Sequence, residues 1–232
     1  MRIALVGDGR MSRAIQLLAA TRGDEIVTVI TGGENRGGEA LTAERLDAAE
    51  VVLEFTRPAV AADNLLRLAA MGARVVSGTT GWVDRLEEIE GAVARGGGAL
   101  IHSANFSIGV QLFIRAAAAV TEQFRGRLEF DEFILEAHHK RKLDAPSGTA
   151  LRLQEAALEA DPSRLFPISS VRAGTLPGPH SLHFDAAGET IALEHVSRGR
   201  EGFAAGALAA AEWLRGLRGV YRFEQMLFGD SV

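Results

Sequence analysis

The sequence predicts an α/β protein in which a doubly wound parallel sheet is joined to a second α+β domain with a mixed sheet. Three observations predict it. In the first half, short apolar runs alternate with stretches of helical periodicity, the rhythm of strand and crossover helix. A glycine turn, Gly7-Asp8-Gly9, directly follows the first apolar run. After residue 124 the rhythm breaks, and the apolar runs alternate with polar residues instead.

Residues 3–6 are a wholly apolar strand candidate that stops at the glycine turn. Residues 10–21 have helical spacing, with Met11, Ile15, Leu18 and Ala19 on one face. Residues 26–30 are rich in β-branched side chains and read as a strand. Residues 31–39 are polar and glycine-rich and read as a loop. A strand at 51–55 precedes Pro58, which suits the first turn of a helix running to residue 70. A strand at 74–77, a helix at 82–95, a strand at 99–102 and a helix at 108–124 continue the series. Parallel strands joined by crossover helices bring their C-terminal ends to one edge, where such sheets bind ligands. The second domain is expected to hold strands at 128–137, 171–173, 181–184 and 190–196, with a helix at 147–160. An alanine-rich helix at 203–217 is expected to pack back on the first domain. The domains expected are therefore 1–106 with 203–232, and 107–202.

Composition narrows the function classes. A chain of 232 residues, 47% apolar, is long enough for one large or two modest cores. With no cysteine it holds no disulfide and no thiolate metal site. The N-terminal apolar run is too short for a signal peptide, and no run reaches membrane-spanning length. We expect a cytoplasmic protein with no membrane partner. A net charge of −5 argues against a nucleic-acid partner. The cations at 140–142 then read as a local site for a small anion.

The first glycine turn continues as Gly7-Asp8-Gly9-Arg10-Met11-Ser12, a G-x-G-x-x-S pattern between strand and helix. In a dinucleotide-binding turn the first glycine makes the bend and the second lets backbone approach the pyrophosphate at the helix N-terminus. Ser12 takes the third place and is small enough for close helix packing. At the end of the second strand, Thr31 stands where an acid would select NADH. Arg10 and Arg36 suit a 2′-phosphate, whereas Glu34 suits ribose hydroxyls. The reading leans to NADPH, with use of NADH left open. Three further strand ends carry turns of the same kind: FTRP at 55–58, GTTG at 78–81 and SANF at 103–106.

The densest chemistry lies in EAHHKRKLDAPSGTA, residues 136–150. His138 ends a strand and has an imidazole suited to giving a proton near neutral pH. Lys142 is a compact triple donor. Ser147, Gly148 and Thr149 open a helix whose first amides form an anion site. Either Asp144 or Ser147 serves as the helix cap.

This stretch resembles the signature of the 4-hydroxy-tetrahydrodipicolinate reductase family, also called dihydrodipicolinate reductase. The resemblance extends in order through FTRP, GTTG, ANFSIGV, VRAG and GFAAGALAAAEWL, nearly the whole chain. It implies a Rossmann-type domain completed by the C-terminal helix, and a substrate domain that also forms a homotetramer. It implies NADPH or NADH as cofactor and a small cyclic dicarboxylate as substrate. By the same resemblance His138 is the acid/base residue and Lys142 the second catalytic donor. His139, Lys142, Gly148 and Thr149 bind substrate. Gly7, Asp8, Gly9, Arg10 and Met11, the Gly78-Thr79-Thr80 turn, and Ser103, Ala104, Asn105 and Phe106 bind cofactor. Hydride would pass from cofactor to ring C4, with a proton from His138, in the diaminopimelate route to lysine. Closure of one domain on the other would exclude water.

The chain departs from the family pattern in three places. The glycine turn is one residue shorter than the commoner form, and Ser12 stands for glycine. Thr31 replaces the acid at the second strand's end. The segment after Ala160 is short. No metal is expected, because His180 and His183 lie three apart on a strand and so face opposite ways. His102, His195, Arg198 and Arg200 read as neighbours or solvated residues. Two rival readings share the glycine turn: another small-substrate imine or amino-acid dehydrogenase, and a non-catalytic NAD(P)H sensor.

Overall fold

A computed structural model describes residues 1–229 and divides the chain into two compact units, one of Met1–Ile108 with the segment from Arg200 onward, the other of Gly109–Gly199.

The first unit is a six-stranded parallel sheet: β1 (Arg2–Val6), β2 (Glu25–Ile30), β3 (Val51–Glu54), β4 (Arg74–Ser77), β5 (Ala99–His102) and a late strand, β10 (Gly219–Arg222). Its order is β10-β5-β4-β3-β1-β2, and every neighbouring pair is parallel. The strands can be short because helices cover both faces, so almost every residue of β1, β3, β4 and β5 is buried. Helices α1 (Arg10–Arg22) and α7 (Glu201–Trp213) lie together on one face, over Ile3, Leu5, Leu53, Val76 and Ile101. Ser12 is wholly buried in α1, as close helix packing requires. Helices α3 (Pro58–Ala70) and α4 (Leu86–Gly96) cover the other face, over Val6, Val52, Val75 and Leu100. A four-residue helix, α2 (Ala43–Leu46), falls in a region the sequence reading left without an element. The chain order turns back between β1 and β3, so the crevice beyond these two strands is the ligand edge of the sheet.

The second unit is a four-stranded mixed sheet of β6 (Asp131–His138), β7 (Ile168–Arg172), β8 (Pro177–Ala186) and β9 (Glu189–Val196), ordered β7-β6-β8-β9. Only β6 and β7 run parallel. Helices α5 (Ile108–Gln123) and α6 (Gly148–Ala160) cover one face, where Phe113, Ala117, Ile134, Leu153, Phe166, Leu182 and Phe184 form the core. Alternation then sends Phe133, Leu135 and Val171 to the opposite face, where Leu135 and Val171 are exposed.

Several boundaries differ from the sequence reading. The helix expected at 82–95 begins as a 3-10 turn, Val83–Arg85, before α4. The strand expected from 128 begins at Asp131, and the strand expected at 171–173 is Ile168–Arg172. The helix expected at 203–217 is Glu201–Trp213, and the segment beyond it forms β10 and a short helix, α8 (Phe223–Phe228). Among the described residues no helix is long and apolar enough to cross a membrane.

Candidate active site

Each unit carries its own set of candidate functional residues. In the first unit the set lies at the C-terminal ends of the strands. The Gly7 amide donates to the Ile30 carbonyl at 2.8 Å, tying the end of β1 to the end of β2. At Gly7, φ is +106°, and a Cβ there would strike the Phe55 carbonyl oxygen, so only glycine fits. Gly9, Arg10 and Asp8 are exposed, and nothing crowds Gly9. Gly7, Asp8 and Gly9 line a cavity of about 270 Å³ together with Thr31, Phe55 and Asn64. The Nδ2 of Asn64 is buried there without a hydrogen-bond partner. A cavity bounded by a glycine turn between strand end and helix start suits a nucleotide.

The neighbouring turns are knitted together. The Thr56 amide donates to Thr79 Oγ1 at 2.8 Å, and Trp82 Nε1 donates to the Thr79 carbonyl at 2.7 Å. Under them lies Glu54, wholly buried, which accepts from Ser77 Oγ at 2.8 Å and from Thr56 Oγ1. Burial pushes the Glu54 carboxyl up, against the hydroxyl bonds that lower it. Thr80 and Ala104 are exposed, and Gly78 is half-buried. The Ser103 hydroxyl bonds both the amide and the carbonyl of Asn105 at 3.1 Å, and Asn105 Oδ1 accepts from the Ser107 amide at 2.9 Å. The Phe106 ring lies in the core between Phe55 and Phe223, and Met11 packs against the same core. At the end of β2, Glu34 accepts from the Thr31 amide at 3.2 Å and pairs with Arg45 at 2.8 Å. Arg10 and Arg36 are exposed and have no ion-pair partner among the described residues.

In the second unit the set lies where β6 ends, on the face covered by the helices. Register explains it. Across the sheet Glu136 stands opposite Ser170 of β7 and His180 of β8, and His138 stands opposite Arg172 of β7. The β6–β8 pairing slips between Glu136 and His138, an irregularity of the kind that re-aims side chains. His138 Nδ1 lies 2.5 Å from Glu136 Oε2. Arg172 donates two bonds to the same carboxylate, at 2.8 and 2.6 Å, and the Ser147 amide donates to it at 3.2 Å. Burial acts to raise the Glu136 carboxyl, but Arg172, Ser170 and His138 outweigh it and hold it down to about 2. Burial lowers the His138 imidazole, Glu136 opposes that, and Lys142 and Arg172 reinforce it.

Ser147 caps α6, its hydroxyl accepting from the Ala150 amide at 3.2 Å. The same hydroxyl lies 2.7 Å from His180 Nε2. His180 is pushed down to about 4 by burial, with the charge of His138 next, so it is neutral at working pH. Gly148 and Thr149 open α6 beside this network. Lys142 Nζ sits between both oxygens of Asp144 at 2.8 Å, so of the two possible helix caps Ser147 holds the place and Asp144 serves the lysine. His139 Nδ1 is buried with no hydrogen-bond partner among the described residues.

His138, His139, Lys142 and the start of α6 thus come together around one strand end. Arg172 and His180, which the sequence reading did not place there, and Glu136, which it quoted at the head of the stretch without a role, complete the cluster. The oxygens of Glu136 are already occupied by Arg172, His138 and Ser147, which makes the trio Glu136, His138 and His180 a hydrogen-bond network rather than a cation cage. His183 turns to the other face of β8, stacked on Phe133. His195 packs on Phe113 and His102 on Trp82, and Arg198 and Arg200 are exposed.

Two family models match the chain: dihydrodipicolinate reductase, N-terminus, over residues 1–106, and dihydrodipicolinate reductase, C-terminus, over residues 109–227. The 4-hydroxy-tetrahydrodipicolinate reductase of Christiangramia forsetii is 31% identical over 98% of this chain and 98% of its own length. That of Caulobacter vibrioides is 35% identical over 98% of this chain and 97% of its own. Among solved structures, a dipicolinate-bound dihydrodipicolinate reductase from Paenisporosarcina sp. TG-14 shares the fold. Its TM-score is 0.80 at 24% identity, over 97% of this chain and 99% of that one.

Proposed function

The chain belongs to the dihydrodipicolinate reductase family, and on that premise we propose that it reduces 4-hydroxy-tetrahydrodipicolinate to tetrahydrodipicolinate in the cytoplasm, on the diaminopimelate route to lysine. The observation that carries this reading is the convergence of His138, His139, Lys142 and the N-terminus of α6 at one strand end. A cyclic dicarboxylate needs an anion cradle, and Gly148, Thr149, Lys142 and His139 supply one from amide, ammonium and imidazole donors. The reduced nicotinamide supplies the hydride, to ring C4. Charge then builds on the conjugated ring, and His138 Nε2 delivers a proton to it. Lys142, held by Asp144 in the resting protein, stabilises that charge as a fixed cation.

The cofactor loops are Gly7 to Met11, Gly78 to Thr80 and Ser103 to Phe106. The room at Gly9, beside the start of α1, is what a pyrophosphate needs. Glu34 is occupied by Arg45 and the Thr31 amide, whereas Arg10 and Arg36 have no such partner, which favours NADPH over NADH. The uncovered face of the second sheet, with Leu135, Val171 and Val196 exposed, supports assembly into a homotetramer through that sheet.

The test is oxidation of NADPH and NADH, followed at the reduced-nicotinamide band. Substrate is made fresh by enzymatic condensation of pyruvate with aspartate semialdehyde. Substrate-dependent oxidation is expected, faster with NADPH at low cofactor. His138→Gln is expected to lower kcat by about a hundredfold or more, and Lys142→Ala to lower kcat/KM. Cofactor binding with no turnover in the wild type would replace this reading with that of a sensor.

A further inference from the structure

Glu136 plays no part in the reaction as derived above, yet its carboxylate is wholly buried and surrounded by donors. Arg172 gives two hydrogen bonds, His138 Nδ1 lies at 2.5 Å, and the Ser147 amide at 3.2 Å. A buried charge is expensive unless it is paired, so an acid kept at such a place requires a reason other than packing. The reason lies in the ring it touches. An ionised carboxylate only accepts hydrogen bonds. The nitrogen facing it, His138 Nδ1, therefore carries the proton in the neutral ring, and Nε2 is left with its lone pair at the far edge. That far edge lies against Gly178 of β8, where φ is +106° and a Cβ would stand 2.8 Å from Nε2, so a larger residue there would crowd the nitrogen.

Arg172 adds a second constraint. It occupies both Glu136 oxygens and also donates to the Asp144 carbonyl at 2.6 Å, bracing the loop that carries Lys142. We propose that Glu136 and Arg172 are a positioning pair for His138: the carboxylate fixes the proton on Nδ1 and so presents Nε2 to the substrate, while the guanidinium shares the carboxylate and keeps the imidazolium ready to give its proton up. The inference rests on His138 being the proton donor.

The charges that face His138 are few. Glu136 comes from its own strand, and Arg172 from β7. Lys142, paired with Asp144, comes from the following loop. His180 of β8 meets it edge-on with ring centroids 5.1 Å apart, bonded to Ser147 and to the Gly178 carbonyl and neutral. From α6 the helix start adds a partial positive charge. Among the described residues Glu136 is thus the one anion in contact with the ring. Without its charge the cations act unopposed and the ring loses its proton more readily. Without Arg172 the carboxylate is unshared and the ring holds its proton more tightly. The two removals act with opposite sign.

The test compares Glu136→Gln with Arg172→Gln. As His138 acts as an acid, kcat/KM falls above its pKa. That limb is expected to move down by about one pH unit in Glu136→Gln and up by a similar amount in Arg172→Gln. The maximal kcat is expected to fall by about tenfold to a hundredfold in both, as the ring loses its support. Arg172→Lys keeps the charge and is expected to keep the limb near its wild-type position. Because a broken buried pair can unfold the chain, the same question is put to the intact wild type by 15N NMR. The neutral His138 ring is expected to carry its proton on Nδ1. Limbs that move the same way in both variants, or a neutral ring protonated on Nε2, would overturn the proposal. Both NMR readings, the tautomer and the titration of His138 in the variants, need no turnover. A wild type that lacks reductase activity would therefore sink the reaction assigned above without deciding this inference.

Discussion

Gly7 and Gly9 stand two residues apart in one motif, and they carry different burdens. Gly7 holds a left-handed φ against the Phe55 carbonyl, so a methyl group there must push the ends of β1 and β3 apart. Gly9 has φ −76° at the start of α1, with nothing near its missing side chain. Gly7→Ala is therefore expected to cost about 2 to 4 kcal/mol of stability in a thermal melt. Gly9→Ala is expected to cost less than about 1 kcal/mol while still weakening NADPH binding in a fluorescence titration, because the space it fills is the one proposed for the phosphate. A Gly9→Ala protein that binds cofactor as well as wild type would remove the pyrophosphate from this turn. The sequence could propose the motif but could not divide these duties, since the Phe55 oxygen comes from a strand some fifty residues away. The same holds in the second unit. His138, His139, Lys142 and the start of α6 are neighbours in sequence, so their company was legible. Arg172 and His180 reach Glu136 and His138 only through the register of β7 and β8, which no local pattern reveals.

At the scale of elements, what was legible followed burial. β1, β3, β4 and β5 are covered on both faces and read as unbroken apolar runs. β7 was caught only at its end because Ser169 and Ser170 interrupt its apolar pattern and its place is dictated by pairing with β6. β10 is four half-exposed or exposed residues after a turn, and parallel pairing with β5 is what makes it a strand. The start of α6 was ambiguous between two caps, and the structure separates them energetically. The Ser147 hydroxyl serves the Ala150 amide and His180 Nε2 at once, whereas the Asp144 carboxylate is exposed and holds the lysine. Ser147→Ala is expected to destabilise the second unit by about 2 kcal/mol, from the lost cap and the unpaired buried imidazole. Asp144→Ala is expected to change stability by less than about 1 kcal/mol. Urea denaturation followed by a probe within residues 109–199 compares them. Equal effects would mean that the α6 cap contributes nothing beyond the surface pair.

At the scale of the whole molecule, the two units carry ionisable groups of opposite temper. In the second unit burial holds His180 down to about 4, and His138 and His195 are lowered by the same cause. These histidines bind protons more weakly folded than unfolded. Their contribution to stability is complete above the unfolded value of 6.5 and is lost as pH falls toward the folded values. For His180 alone the loss reaches about 3 kcal/mol by pH 4. Below that the carboxylates add to it. Glu136 is held at about 2, and Glu132 too lies below the usual carboxylate range, so their contribution drains away as pH falls from 4.5 toward those values. In the first unit His102 pulls the same way, as do Glu50 and Glu88, whose lowered carboxyls are screened by solvent, but Glu54 pulls against them. Burial raises the Glu54 carboxyl, so its contribution is complete below 4.5 and is lost as pH rises through the folded value. Acidification should therefore loosen the second unit first. Amide hydrogen exchange, corrected for the intrinsic rate, is expected to show protection in β6, β8 and α6 falling between pH 6.5 and 4 while that of β1, β3 and β4 holds. In Glu54→Gln the first unit should lose this immunity to the direction of pH. If the parallel sheet opened at the same pH as the mixed sheet, the buried histidines would not be what limits the protein in acid, and the unit proposed to bind substrate would be no more fragile than the one proposed to bind cofactor.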